Sequence, residues 1–391
     1  ASQSGAPSFS HCPPVPRAES GSQQMKTFVA LTVLSAALAA DQTDFEAWAA
    51  EHGKTYTGPS QFKAATNAFV TNARVIDELN AENDGATYAL NQFADLTAEE
   101  FAQSHLTTFG KVPRAALDAK VKGSGTDTDT PDELDWRDMG AVTEVKDQGA
   151  LGSCWAFSTA GNLEGQLFLS GSQLTSLSVE QLLECDSSYD VAQGHADCGE
   201  FGGWPYLAMQ YVIDAGGLRS DAVMPYCAGI GYGQEGYCIP CMPEGYSKAL
   251  CGDYDDDDQI PLFCDESTTL GQGPAGYCSN ADGVAVTIND WKAISTNETT
   301  IAAELAATGP LSIALNAQRL QFYKSGVYNP SNCNPDNLDH AVLMVGFGTD
   351  DIPYWTIKNS WGASWGEDGY FRIVRGTGAC GVNTAVVSGL I

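Results

Sequence analysis

Basic residues are scarce: 19 Lys and Arg stand against 49 Asp and Glu, a formal charge of −30 at pH 7. Binding to nucleic acid draws its affinity from Lys and Arg at phosphates, so DNA and RNA are excluded as partners. The acidic excess suits a protein kept soluble at low pH or among plentiful counter-ions. The apolar run from Phe28 to Ala40 has 13 residues, too few to span a bilayer, which takes about 20. No repeat of solenoid length is visible, so each segment is read on its own terms. Histidine occurs five times, at 11, 52, 105, 195 and 340, and never between 227 and 278.

Cysteine is plentiful. Twelve of them point to an oxidising compartment. Met25-Lys26 before the apolar run, with small residues at Ala37 and Ala39, reads as a signal peptide over 25–40 cut near Ala39 or Ala40. Residues 1–24, rich in Ser and Pro and without an initiating Met, are expected to be an unstructured upstream tract. The reading is therefore a secretory-pathway protein, lysosomal or vacuolar or extracellular, with no membrane insertion after signal removal.

After the leader, Phe45, Trp48 and Ala49 fall at helical spacing, and Phe69, Ala73 and Ile76 continue a similar stripe. Gly123 to Pro131 reads as an exposed linker. From Leu134 aromatics, glycines and cysteines become dense. Helices are expected over Ser153–Ser170, with Ser153 as cap, and over Leu177–Cys185. Strands are expected at Leu311–Leu315, Ala341–Val345, Tyr354–Ile357 and Tyr370–Val374. Helices first and strands afterwards give an α+β protein. The boundaries that follow are a prefix and linker over 41–127 and a second block over 128–391.

Three strings carry chemistry: Gln148-Gly149-Ala150-Leu151-Gly152-Ser153-Cys154-Trp155, then Asp339-His340-Ala341, then Lys358-Asn359-Ser360-Trp361-Gly362. They supply a thiol, an imidazole and an amide to orient it. A thiol attacks a carbonyl as thiolate. The start of a helix and an imidazolium at His340 would both lower the pKa of Cys154. His340 would return the proton to the leaving amine, Asn359 would accept from its other nitrogen, and Gln148 would donate to the oxyanion beside the Cys154 backbone N–H.

These strings resemble the papain/cathepsin family of cysteine proteases, over roughly residues 44–391. Asp135-Trp136-Arg137, Gly202-Gly203-Trp204-Pro205 and Asn359-Ser360-Trp361-Gly362 add to the match. The resemblance implies a papain-like two-lobed fold, a helical left lobe and a β-barrel-like right lobe, preceded by a helical propeptide. It implies a thiol endopeptidase, monomeric and free of cofactor or metal, acting on proteins and peptides and open to cystatin-type inhibitors. Hydrolysis and transpeptidation through the same thioester stay undivided. Gly202 and Gly203 would let the substrate strand approach, and Trp361 would shield the His340–Asn359 bond and line the primed side. The pocket for the second residue before the scissile bond would be walled by Trp204, Pro205, Ala314, Leu338, Ala341 and Ala385, and so prefer Leu, Val or Phe.

The prefix resembles an inhibitory propeptide of the cathepsin L-like kind, on Phe69, Asn72, Ile76 and Asn80, then Asn91, Phe93 and Asp95. Gln61 and Ala65 stand where that family has an acid and a base, which implies one fewer ion pair. The expectation is a zymogen that its own prefix inhibits and that acid releases, with cleavage between Gly123 and Pro131.

The gap from Cys154 to His340 is 186 residues, against roughly 130–150 in this family. The surplus fits a cysteine-rich acidic insertion near 227–283, with Asp253 to Asp258 at its centre. Cys238-Ile239-Pro240-Cys241 invites zinc and the Asp253/Asp255/Asp257 spacing calcium. A solvated loop stapled by disulfides is preferred, because the segment has no His and the sixth position of a calcium loop is Asp258. The family also carries a cysteine where this chain has Leu151. By resemblance Cys333 pairs with Cys380, Cys185 reaches a cysteine late in the insertion, and Cys198, deprived of its usual partner, bonds within 227–278. Asn297-Glu298-Thr299 is a glycosylation sequon.

Overall fold

A computed structural model of the chain describes residues 42–107, 109–121, 130–231, 234–238, 241–252, 278 and 282–391. The expected leader, the upstream tract with Cys12, linker residues 122–129, and the Asp253–Asp258 run lie outside the described residues.

The prefix builds its own small core. Helix Gln42–Glu51 crosses helix Pro59–Glu82, and Phe45, Trp48 and Ala49 pack on Ala65, Phe69 and Ala94. The longer helix begins at Pro59, whose fixed φ suits a first turn, and stops at Asn83, left-handed at φ 53°. Asn72 donates its amide to the Ala94 and Leu96 carbonyls, each at 2.8 Å. Asp95 accepts from Lys54 at 2.9 Å and from the Tyr56 hydroxyl at 3.1 Å. Gln61 accepts from the Thr57 backbone at 2.7 Å, and Ala65 is buried. Helix Ala98–His105 then opens with a capping box: Thr97 Oγ1 accepts from Glu100 N at 3.2 Å, and the Glu100 carboxylate from Thr97 N at 2.8 Å.

Helix Cys154–Leu169 runs through the middle of the second block, with Trp155, Ala156 and Leu163 wholly buried. Its buried residues lie on every side, polar ones such as Ser158, Asn162 and Glu164 among them, as befits a helix inside a core. Its neighbours are helix Pro205–Asp214 and strands His340–Thr349, Leu311–Leu315 and Ala385–Leu390. Across the helix–sheet junction, Glu164 accepts from Lys146 at 2.8 Å and from Thr143 Oγ1 at 2.6 Å, while Lys358 donates to Thr143 O at 2.8 Å. A buried charge needs partners of this kind to offset its desolvation.

Among the described residues one sheet has nine strands. His340–Thr349 lies between Leu311–Leu315 and Pro353–Lys358, antiparallel to both, with His340 opposite Leu315 and Leu343 opposite Lys358. Tyr370–Val374 follows on Pro353–Lys358. The prefix itself joins this sheet, because Ala86–Tyr88 pairs with Tyr323–Tyr328 at its edge. The mixed helical and stranded layout is the expected papain-like one, with a helical half on one side of the cleft and a stranded half on the other.

Four disulfides are described: Cys185–Cys278, Cys198–Cys251, Cys227–Cys238 and Cys333–Cys380. Cys241 is also disulfide-bonded, and Cys154 is a free, buried thiol. The first two bonds anchor the insertion to the helical half, one at the end of helix Val179–Cys185 and one just before the Gly199–Phe201 turn. Cys238 and Cys241 are thus occupied by sulfur.

Candidate active site

The three chemical strings meet at one end of the central helix. Cys154 is its first residue, His340 begins a strand, and Asn359 follows directly on the neighbouring strand that ends at Lys358. Ser153 precedes the helix but makes no capping bond, in contrast to the expectation. At φ −92° and ψ 6° its side chain turns away from the helix and meets the Tyr226 hydroxyl at 3.0 Å.

His340 Nε2 lies 2.7 Å from Asn359 Oδ1. An amide oxygen only accepts, so Nε2 carries the proton and Nδ1 is the bare nitrogen. Nδ1 has no hydrogen-bond partner in its buried position. Asn359 is held in turn by the Ser360 N–H at 2.8 Å on the same oxygen. Trp361 stacks on the imidazole, centroids 4.7 Å apart and planes 27° from parallel, with Trp365 edge-on behind it at 4.9 Å. Cys154 Sγ accepts from the Ala341 N–H at 3.5 Å.

Burial dominates the electrostatics. It pushes the Cys154 thiol up to about 12 and the His340 imidazole down to about 4. Desolvation disfavours whichever form is charged. The thiolate–imidazolium pair expected from the sequence is therefore opposed in this covered site, and the neutral thiol–imidazole form is favoured.

What covers the site is the prefix. The His105 carbonyl accepts from Gln148 Nε2 at 3.2 Å, beside Cys154. Thr107 donates its N–H to Asp339 O at 2.8 Å and its hydroxyl to Phe201 O at 3.1 Å. The Phe109 ring lies 4.5 Å from that of Trp204, whose indole N–H donates to Phe109 O at 3.1 Å. Upstream, Gln92 donates to Trp361 O at 2.9 Å, and the Phe93 and Phe101 rings meet Trp361 edge-on at 5.9 and 5.1 Å.

The expected pocket residues come together: Trp204, Ala314, Leu338, Ala341 and Ala385 share one apolar cluster, and Phe109 belongs to it. Pro205 opens the adjoining helix. The two glycines serve different ends. A Cβ on Gly202, at φ 129°, would overlap Thr107 Oγ1, so this is where a chain passes close. A Cβ on Gly203 would meet Asp197 and Trp155 in the interior, so packing leaves no room for a side chain there.

Three contributors were not anticipated. Ser360 Oγ donates to Gln148 Oε1 at 2.6 Å and so fixes which end of that amide faces the cleft. His105 and Phe109 occupy the cleft without belonging to any motif. Their role depends on where the prefix lands, which local spacing does not encode.

The papain family cysteine protease profile matches residues 130–390, and the cathepsin propeptide inhibitor domain (I29) profile matches 45–101. The chain belongs to the papain family of cysteine proteases. It is a hydrolase preceded by an inhibitory propeptide domain, the arrangement of a zymogen. It is 36% identical to mouse Cathepsin F over 352 residues, 89% of this chain and 64% of that one. It is 34% identical to Cysteine proteinase 15A of Pisum sativum, covering 88% of this chain and 84% of the relative. Among solved structures it resembles a digestive procathepsin L 3 from Tenebrio molitor larval midgut. That match has a TM-score of 0.67 at 30% identity and covers 90% of this chain and 99% of the other.

Proposed function

We propose that the chain is the precursor of an endopeptidase that cleaves peptide bonds through a Cys154 thioester, with Gln148, His340 and Asn359 as its partners in the reaction. His340 Nδ1 takes the thiol proton as Cys154 Sγ attacks the scissile carbonyl. The new oxyanion receives hydrogen bonds from Gln148 Nε2 and the Cys154 N–H. Collapse expels the amine, which takes the proton from His340, and leaves the acyl group on sulfur. Water, deprotonated by His340, then releases the acid and restores the thiol. Asn359 holds the imidazole in the Nε2-protonated tautomer throughout.

The observation that carries this reading is the His105 carbonyl on Gln148 Nε2, where a substrate's oxyanion would sit. Phe109 on Trp204 supports an apolar pocket for the second residue before the scissile bond. Taking the Trp361 side as primed, the prefix runs from Phe93 past His105 to Phe109, from primed to unprimed. That is opposite to a substrate, so the prefix fills the cleft without presenting a bond to the thiol.

Domain limits follow as 41–127 for propeptide and linker and 128–391 for the catalytic domain with its insertion, after a signal peptide at 25–40. Maturation is proposed to occur in acid, by cleavage between Gly123 and Pro131, in a lysosomal, vacuolar or extracellular setting. The mature enzyme acts as a monomer whose cleft admits protein and peptide substrates and cystatin-type inhibitors. A peptide library with every residue varied two before the scissile bond tests the pocket. Leu, Val and Phe should lead, because an Arg there would be buried without a partner, and selection of Arg or Lys would overturn the assignment.

A further inference from the structure

The loop from Gln148 to Cys154 carries both groups proposed to hold the oxyanion, and it has no disulfide of its own: Leu151 is its central side chain, and Cys198 is bonded to Cys251. Gln148 is restrained on one flank by Ser360, which accepts from its N–H at 2.8 Å and donates to its Oε1. Its Nε2 is kept near Cys154 by Leu151 O at 2.6 Å. The opposite flank rests on Tyr226, at the threshold of the insertion.

Tyr226 Oη donates to the Gln148 carbonyl at 2.6 Å. A carbonyl oxygen only accepts, so the single phenol proton is committed to that bond. The Ser153 Oγ, 3.0 Å from Tyr226 Oη, is then the donor of the pair. A relay results, from the Ser153 hydroxyl to the Tyr226 hydroxyl to the Gln148 carbonyl, and it spans the loop from one end to the other. The ring is set edge-on against Phe157, one turn into the nucleophile helix, at 4.8 Å. The residues after Tyr226 are fixed as well. Cys227 is bonded to Cys238, and the Cys227 and Ala228 N–H groups donate to the buried Glu180 carboxylate at 2.8 and 3.2 Å. Gly149, at φ 63°, and Gly229 lie in close approach: a Cβ on Gly149 would overlap the Gly229 carbonyl, and one on Gly229 would overlap the Gln148 carbonyl and the Tyr226 hydroxyl. The tyrosine thus stands on a rigid footing.

Resting on the oxyanion role proposed for Gln148, we propose that Tyr226 is a positioning residue that holds the Gln148–Cys154 loop at the geometry the reaction needs, by bridging Ser153 and the Gln148 carbonyl. It touches neither substrate nor reacting atoms. Its hydroxyl fixes the direction in which the Gln148 side chain and the Cys154 N–H point, and a small misdirection of such donors weakens the transition state more than the bound substrate.

Tyr226→Phe removes the hydroxyl and keeps the ring against Phe157. The test uses the matured full-length product, with wild type, Tyr226→Phe, Ser153→Ala and Gln148→Ala each counted by active-site titration. In Tyr226→Phe, kcat per titrated site should fall about tenfold with KM unchanged, short of the roughly 10²–10³ that loss of an oxyanion donor gives. A peptide aldehyde, which adds the Cys154 thiol across its carbonyl, should lose affinity by the same factor, while the matching peptide alcohol should not. Ser153→Ala, with the tyrosine in place, should lose about threefold in kcat. Unchanged kcat per site in Tyr226→Phe, or a loss confined to the number of titratable sites, overturns the proposal. Should that variant fail to fold, an unchanged kcat in Ser153→Ala overturns it instead. A Gln148→Ala enzyme with full activity would instead sink the oxyanion reading beneath it.

Discussion

At the residue scale burial raises the Cys154 thiol and lowers the His340 imidazole, so the covered site opposes a charged pair. Cys154→Ala should bring peptide hydrolysis to background while far-UV circular dichroism and thermal unfolding stay near wild type. Asn359→Ala should be milder, about tenfold to a hundredfold in kcat, since it loosens the imidazole without removing the base, whose own contribution is about 10²–10⁴. His105 brings a second titration to the same place. Burial, then the nearby charges of His340 and Lys54, hold its imidazole down at about 4, against about 6.5 in the unfolded chain. Between those values the undocked prefix binds a proton that the docked one does not, so docking is strongest above pH 6.5 and weakens as pH falls towards 4. The full effect is about 3 kcal/mol. His105→Phe, which keeps a ring between Phe93 and Phe101, should shift the pH of half-maximal self-processing downwards. The check is a pH series of precursor processing followed by gel. A variant that processes at the wild-type pH would remove His105 from the acid response.

Elements made by local pattern were legible in the sequence. Leu311–Leu315 is buried throughout and Tyr370–Val374 everywhere but Arg372, and their ends are where the pattern put them. The His340 strand runs on to Thr349, beyond the expected Val345, because Gly346 pairs with Thr356 on one side and Asp135 on the other, and Gly348 pairs with Tyr354. Ala86–Tyr88 had no local signal, since its partner Tyr323–Tyr328 lies more than 200 residues away in sequence. The Ser153 cap failed for the same kind of reason: a tertiary bond to Tyr226 outcompeted the local one. The strings holding Gln148, Cys154, His340 and Asn359 were legible by their distinctive residues, and the structure brings them together. Phe109 was not, since any aromatic would serve and only docking selects it. As one buried ring on Trp204 it should carry much of the prefix's hold on the unprimed side. Phe109→Ala in the separately added prefix should raise its inhibition constant by about 10²–10⁴, following the roughly 3–5 kcal/mol typical of such truncations. An unchanged constant would mean that this segment does not fill the pocket.

On the scale of the whole molecule the prefix is at once a small domain, an edge strand of the sheet and a plug in the cleft. Arg319 pairs with Glu82 at 2.6 Å and Lys120 with Asp290 at 2.5 Å, so ion pairs span both ends of the interface. Exposed pairs contribute little each and are screened by salt. Raising salt alone should therefore speed maturation at pH 7 only slightly, while acid should speed it strongly; equal effects would shift the weight from buried groups to the surface pairs. If Cys154 is the nucleophile and the docked prefix silences it, the thiol should react only after the prefix has gone. The most direct test is mass spectrometry of precursor and acid-matured protein after brief exposure to a thiol-reactive peptidyl electrophile carrying Leu two residues before its warhead. One adduct per mature chain is expected, on Cys154, with little or none on the precursor at pH 7. Equal labelling of the precursor, or an adduct on another residue with Cys154 unmodified, would contradict it.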